Sequence, residues 1–271
     1  MASVEVQVDD ELKLFGVAYI FKRPLMYFQL LSIHILVTVI IAFNSYIWYN
    51  DALGEEDYQY YLLENLQRYH PFFAIILIYH IAQTMKRQFE NLNSILRYYV
   101  EEKFIAVLLS KSEVTKLQSV YIVLLNQIKD FNDSFGLIIF IVLINIMIGF
   151  LKFFNALLFS EIIDNKGSTF LSIMVLWMSY MLWMISIIAI TCGGITKVAR
   201  DTGPLCYTLF TELSRYQDST LRGELLTFAR IASISKPVIS AAGFFNVDHG
   251  LLSHAFTILI SYVIVILQIY G

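Results

Sequence analysis

LLSHAFTILISYVIVILQIY (Leu251–Tyr270) contains no charged side chain. Its length matches the roughly 20 apolar residues a helix needs to cross hydrocarbon. One amide, Gln268, stands near its end. In hydrocarbon an amide costs free energy unless it meets water or another polar group. The rest of the chain suits the same solvent. Hydrophobic residues make up 58% of the 271, charged residues 15%, and mean hydropathy is +0.64. A soluble surface usually needs about a quarter of residues charged. The composition therefore predicts a membrane protein, and the spans and helical faces make it an all-α, polytopic membrane helical bundle with cytoplasmic helical extensions.

A net charge of −3 gives no basis for a nucleic-acid partner. The two cysteines, Cys192 and Cys206, have neither metal-type spacing nor a disulfide framework. The start, MASVEVQVDDELK, lacks the basic-then-apolar order of a signal peptide, so insertion is expected to rely on internal spans.

Besides Leu251–Tyr270, the segments Pro24–Tyr49, Ser134–Phe159 and Thr169–Cys192 qualify as spans. A fifth, Pro71–Met85, is short, and Asn65, Gln67 and Arg68 interrupt its extension towards Leu62. We count it as a helix whose outer end meets headgroups or a watery cavity. The chain then divides into a cytoplasmic segment (1–23), two spans with an acidic outer loop (24–85), and cytoplasmic helices (86–133). A transmembrane hairpin (134–192), further cytoplasmic helices (193–250) and a last span (251–271) follow.

Charge sets the orientation. Three basic residues lie before the first span, seven in 86–133 and six in 193–250, which leaves only Arg68, Lys152 and Lys166 of the 19 elsewhere. The positive-inside rule puts the N-terminus in the cytoplasm and the C-terminus outside. The outer loop 50–70 carries Asp51, Glu55, Glu56, Asp57 and Glu64, either a cation-concentrating vestibule or a merely solvated loop. Asn132–Asp133–Ser134 is a glycosylation sequon that this orientation keeps in the cytosol, unmodified.

The cytoplasmic segments read as helices. Phe89, Leu92, Ile95 and Leu96 recur at helical spacing, as do Leu117, Val120, Leu124 and Ile128. The stretch 204–233 repeats the theme with Leu205, Leu209, Leu213, Leu221, Leu225, Phe228 and Ile231, until Lys236–Pro237 breaks it. Gly193–Gly194 is expected to end the helix at Cys192. Ala241–Ala242–Gly243–Phe244–Phe245 reads as a small-residue close approach followed by two rings, and Asp248 stands where an N-cap belongs.

No catalytic residue, cofactor or metal set emerges: the five histidines form no HExxH motif, and buried acid pairs are absent. Coupled transport usually displays intramembrane acids or related halves, which also disfavours a transporter. The last span does carry a pattern. On a helix turning about 100° per residue, His254, Thr257, Ser261, Val265 and Gln268 fall within a sector of about 80°. Such a seam either hydrogen-bonds to neighbouring helices or lines a water-filled path, and the second use requires an oligomer.

Ser261–Tyr262–Val–Ile–Val–Ile–Leu–Gln268–Ile269 resembles the final-span signature of insect gustatory receptors, Thr-Tyr, five hydrophobic residues, then Gln-Phe. Upstream, Glu224–Leu225–Leu226–Thr227–Phe228, Lys236–Pro237, Ala241–Ala242–Gly243–Phe244–Phe245 and Asp248 follow that family's order and spacing. Phe89–Glu90–Asn91–Leu92–Asn93 resembles its Phe-x-x-Leu-Asn, so the resemblance covers roughly 60–271. The related odorant receptors lack the tyrosine-to-glutamine ending.

The resemblance implies a plasma-membrane, seven-span subunit of a tetrameric, ligand-gated, non-selective cation channel opened by small-molecule tastants. Its N-terminus is cytoplasmic and its C-terminus extracellular. The last span lines the pore, and the cytoplasmic helices hold a homo- or hetero-tetramer together in the lipid. Carried over, Gln268 stands at the outer gate with Ile269 beside it, and Tyr262 matches the motif, with Ser261 and Val265 on the same helix. Ser261 in place of Thr keeps the hydroxyl, whereas Ile269 in place of Phe reduces the bulk of the gate. Five spans against seven implies an N-terminally truncated pattern, and a non-conducting fragment is the alternative, ahead of a small-molecule transporter.

In that family the ligand pocket lies between the earlier spans on the outer side. The outer-half side chains here are Asn44, Tyr46, Trp48, His70, Phe72, Phe73, Phe153, Phe154, Asn155, Trp177 and Tyr180. Aromatic walls with a few amides suit sugars or bitter organics alike. Trp and Tyr at these levels also serve as interfacial anchors.

Overall fold

The computed structural model describes residues 55–101, 109–159, 162–213 and 219–270, together with 34, 35, 38, 39, 41, 42 and 45, which are helical. Among the described residues, helix α1 runs Glu55–Glu101, α2 Lys111–Phe159, α3 Ile162–Leu213, α4 Ser219–Ile234 and α5 Gly250–Tyr270. Between α4 and α5 a β-hairpin pairs β1 (Ser240–Ala241) antiparallel with β2 (Phe245–Asn246), Ser240 opposite Asn246 and Ala241 opposite Phe245. Among the described residues the protein is all-α apart from this pair.

The first three helices hold 47, 49 and 52 residues. At 1.5 Å per residue each is about 70–80 Å long, more than twice the ~30 Å of a hydrocarbon core. Each therefore continues well beyond any membrane it crosses. In α2 the uncharged run 134–151 follows a polar half, and in α3 the uncharged run 167–196 precedes one. Both helices are long and apolar enough to span, and the apolar Gly250–Val265 of α5 is shorter among the described residues.

Two expectations are corrected here. The acidic segment 50–70 is helix from Glu55 onwards, continuous with the span behind it. Glu55, Glu56 and Asp57 occupy the first turn, where the helix dipole favours negative charge, and no glycine or proline follows until Pro71. Nor does Gly193–Gly194 end a helix, since α3 runs through it to Leu213. A Cβ on Gly193 would lie 3.2 Å from the His249 backbone nitrogen and imidazole. The glycine admits a neighbouring chain rather than turning its own.

The described residues form two compact units. The first gathers Tyr79–Ile139 and Ala189–Leu251. Its core takes Phe89, Leu92 and Leu96 from α1, and Leu117, Val120, Tyr121, Leu124 and Phe131 from α2. Ile195, Cys206 and Leu209 come from α3, and Leu225 and Phe228 from α4. The periodic apolar positions of 86–133 are thus the buried ones. Tyr121 lies between Phe89 and Phe228, with ring centroids 6.1 and 5.7 Å away, and its hydroxyl donates to the Ala232 carbonyl at 3.4 Å. Burial pushes the Tyr121 phenol and the Cys206 thiol each up to about 12.

Polar clamps join the elements of this unit. Buried Asn93 donates to the Val198 carbonyl at 2.8 Å and accepts from the Thr202 hydroxyl at 2.7 Å, tying α1 to α3. The Asn of the Phe-x-x-Leu-Asn motif is therefore a structural clasp. On α2, Asn132 donates to the Val238 carbonyl at 2.9 Å and accepts from the Ser240 amide at 3.0 Å. One turn on, a Cβ on Gly136 would meet the Ala242 nitrogen and the Ser240 oxygen at 3.0 Å. The close approach read from Ala241–Ala242–Gly243 does exist, but the residue that permits it is Gly136. The Ala–Ala–Gly stretch itself turns the β-hairpin, with φ of 51° at Ala242 and 78° at Gly243. Two successive left-handed residues are what a tight primed turn requires. Ser110 and Glu113 cap α2 reciprocally, at 2.7 and 3.3 Å between backbone nitrogens and side-chain oxygens.

The second unit comprises the described residues of Ile20–Ile78, Phe140–Ile188 and Leu252–Gly271. Phe72, Ile75, Ile78, Val142, Ile146, Phe150, Met184, Ile185 and Leu259 are buried in it. Gly149 receives the Met181 thioether, whose Cε would collide with any added Cβ. The outward side chains are equally apolar, among them Ile141, Ile144, Ile148, Val175 and Ile260.

Candidate functional site

The last helix begins with Asp248, whose carboxylate accepts from the Gly250 amide at 2.8 Å while its carbonyl accepts from the Leu251 amide at 3.1 Å. The cap sets the start of an uncharged helix. Along it, Leu251, Ala255 and Leu259 are buried, four residues apart and so on one face. His254, Thr257, Ser261, Val265 and Gln268 are all exposed. Their seam points about 120° from the packed face. Val265 is 51% exposed. Tyr262 is half-buried and belongs to the packed side. The Ile269 side chain lies outside the described residues.

The seam's hydroxyls are satisfied locally. Thr257 donates to the Ser253 carbonyl and Ser261 to the Thr257 carbonyl, both at 2.9 Å. Back-bonding of this kind leaves the hydroxyl oxygen a lone pair directed outwards. The seam can accept from water or from another chain without giving up the helix.

The aromatic candidates separate. Asn44, Tyr46 and Trp48 lie outside the described residues, as do the side chains of His70 and Phe153. Trp177 is 8% exposed and packs against Ile41 and Tyr180. Its ring meets Tyr180 edge-on at 5.6 Å, and Tyr180 stacks on Trp183 at 6.4 Å. Trp183 and Ile41 were missed, although the 177, 180, 183 spacing on α3 places Trp183 on the same face. Phe73, 55% exposed, lies 6.2 Å from the His34 ring, which also faces Phe72 at 6.3 Å. No spacing in the sequence links His34 to Phe72 and Phe73, which lie far along the chain from it. Phe154 is half-buried and Asn155 exposed. The structure thus brings together Trp177 with Tyr180, and Phe72 with Phe73. Among the described residues no three His, Cys, Asp or Glu side chains converge as metal ligands would.

Long helices with apolar outward faces, closed by an uncharged helix with an exposed polar seam, define a multi-pass membrane protein. The sequence profile described as "7tm Chemosensory receptor" matches residues 6–270, and the chain belongs to that family. It is accordingly a membrane receptor and not an enzyme. No curated protein matches the sequence. Among solved structures, the insect olfactory receptor OR5 from Machilis hrabei is similar in fold, with a TM-score of 0.66 at 12% identity. The similarity covers 91% of this chain and 67% of that one.

Proposed function

We propose that the chain is a gustatory-type subunit of a ligand-gated, non-selective cation channel in the plasma membrane. Several copies surround an aqueous path lined by α5, and a small-molecule tastant opens it. The observation that carries this reading is the exposure of His254, Thr257, Ser261 and Gln268 on a helix whose packed face is Leu251, Ala255 and Leu259. On that face the His254 imidazole and the Gln268 amide call for water or another subunit, while Thr257 and Ser261, already bonded to their own helix, can accept from either. The family, receptors for chemical stimuli, supports the same reading, and the Ser261–Tyr262 to Gln268 ending favours gustatory over olfactory type.

In this reading Gln268 contributes an amide at the outer gate, with Ile269 beside it. Basic residues put the N-terminus in the cytoplasm. Trp177 and Tyr180 form one wall of the ligand site, to which the other aromatic candidates add. The test is patch-clamp recording from cells expressing wild type and Gln268→Ala under a panel of sugars and bitter compounds. The expected result is agonist-evoked cation current whose selectivity or rectification changes with Gln268→Ala at unchanged surface expression. Identical currents would remove Gln268 from the gate. Surface protein silent under every ligand would favour a non-conducting subunit.

A further inference from the structure

We propose that the tip of the β-hairpin, Ala242–Phe245, is a lipid-binding element that seats in the headgroup–acyl boundary of the bilayer. The inference rests on the chain's membership of a membrane receptor family and does not depend on channel activity.

Three boundaries between charged and uncharged sequence meet beside the hairpin, all within the first unit. On α2 the uncharged run begins after Asp133, and the hairpin is fastened at Asn132 and Gly136, on either side of that point. On α3 the uncharged run ends before Lys197, and Gly193 lies against the His249 backbone. On α5 the uncharged run begins after Asp248, two residues beyond the end of β2. The ends of spanning runs lie in the headgroup region, and three such ends fix the height of the hairpin there.

The tip has the chemistry for that layer. No charged residue lies between Lys236 and Asp248. Phe244 is 72% exposed and Phe245 37%, and Ala242 and Gly243 beside them are exposed as well. The presentation is rigid. Phe244 donates its amide to the Ala241 carbonyl at 3.0 Å, and the Gly243 amide donates to Ser240 Oγ at 2.9 Å. A tight turn pinned at both ends presents its rings with little conformational entropy left to lose. Aromatic rings on an uncharged loop at the edge of the hydrocarbon favour the interfacial layer over water.

The test is site-directed spin labelling of the full assembled chain in vesicles of phosphatidylcholine and phosphatidylglycerol. Labels go on Phe244→Cys, on Arg222→Cys at the exposed surface of α4, and on Ile141→Cys within the α2 apolar run. The native cysteines are buried, and the Cys206 thiol is too weakly acidic to compete. Collision with molecular oxygen is compared with collision with a water-soluble nickel chelate. Oxygen is expected to dominate at 244 and 141 by several-fold, and nickel at 222. Nickel accessibility at 244 equal to that at 222 would overturn the proposal. Protection of 244 from both reagents would overturn it in favour of a second copy covering the tip. Nickel accessibility at 141 would remove the membrane reading itself and the proposal with it.

Discussion

The two units hold themselves together in different ways, and the difference identifies their solvents. In the first, side chains hydrogen-bond across elements: Asn93 to Val198 and Thr202, Asn132 to Val238 and Ser240, Tyr121 to Ala232. Hydroxyls of both units donate to the carbonyl four residues back in their own helix, Thr84, Thr115, Thr208 and Thr227 in the first and Thr38, Ser179, Ser186, Thr257 and Ser261 in the second. The difference lies in the cross-element bonds of the first and the outward surface of the second. Outside the α5 seam its outward side chains are largely apolar, among them Ile141, Ile144, Ile148, Val175, Leu176 and Phe256. Where water surrounds a fold, burial drives packing and a few internal polar bonds fix which packing is adopted. Where lipid surrounds it, apolar burial gains little and each hydroxyl is best satisfied within its own helix.

The contrast can be attacked by mutation. The largest effect is expected from Phe89→Ala, which empties a fully buried ring site and should cost about 3–5 kcal/mol. Ile144→Ala, on an outward face, should change stability by under about 1 kcal/mol because lipid fills the space. Thermal midpoints in detergent, read by size-exclusion fluorescence, check both, and equal losses would dissolve the distinction. Asn132→Ala removes one partner from two backbone groups and should cost about 1–3 kcal/mol, whereas Thr257→Val should stay within about 0.5.

Alkaline pH sharpens the comparison next. The unfolded chain releases its cysteine proton near 9 and its tyrosine proton near 10, while the folded chain holds those of Cys206 and Tyr121 to about 12. The unfolded state therefore binds fewer protons between about 9 and 12, and stability falls as pH rises through that window. Below 9 the contribution is intact. A pH-dependent melt monitored near Phe89 should show the loss, and Tyr121→Phe should blunt it. Ala242→Gly acts in the opposite direction. Relief of about 1–2 kcal/mol of left-handed strain, less the roughly 0.4–1 gained by the more flexible unfolded chain, leaves a slight stabilisation.

The helices were legible because periodic leucine, isoleucine and phenylalanine report burial one turn at a time. Asp248 was legible because a cap is a local bond. Gly193–Gly194 and Gly136 were not, since a glycine that ends a helix and one that admits a neighbour look alike until the neighbour is placed. The same limit hid the β-hairpin, whose two-residue strands carry no alternation and whose turn begins with alanine. On the candidate site, the α5 seam follows from one helix's periodicity. The Trp177–Tyr180 pair was half-visible as i,i+3 spacing, and the Ile41 contact depends on packing from elsewhere in the chain.

The clasp at Asn132 also bears on how sidedness can be mapped. A sugar attached to its Nδ2 would leave one N–H of two and force bulk between α2 and the strand, where Nδ2 now sits 2.9 Å from the Val238 carbonyl. Any folded molecule therefore carries this sequon bare, whichever compartment it faced during synthesis. A glycan-based reporter belongs elsewhere: Leu157→Thr creates an acceptor at Asn155, exposed beyond the far end of the uncharged run of α2.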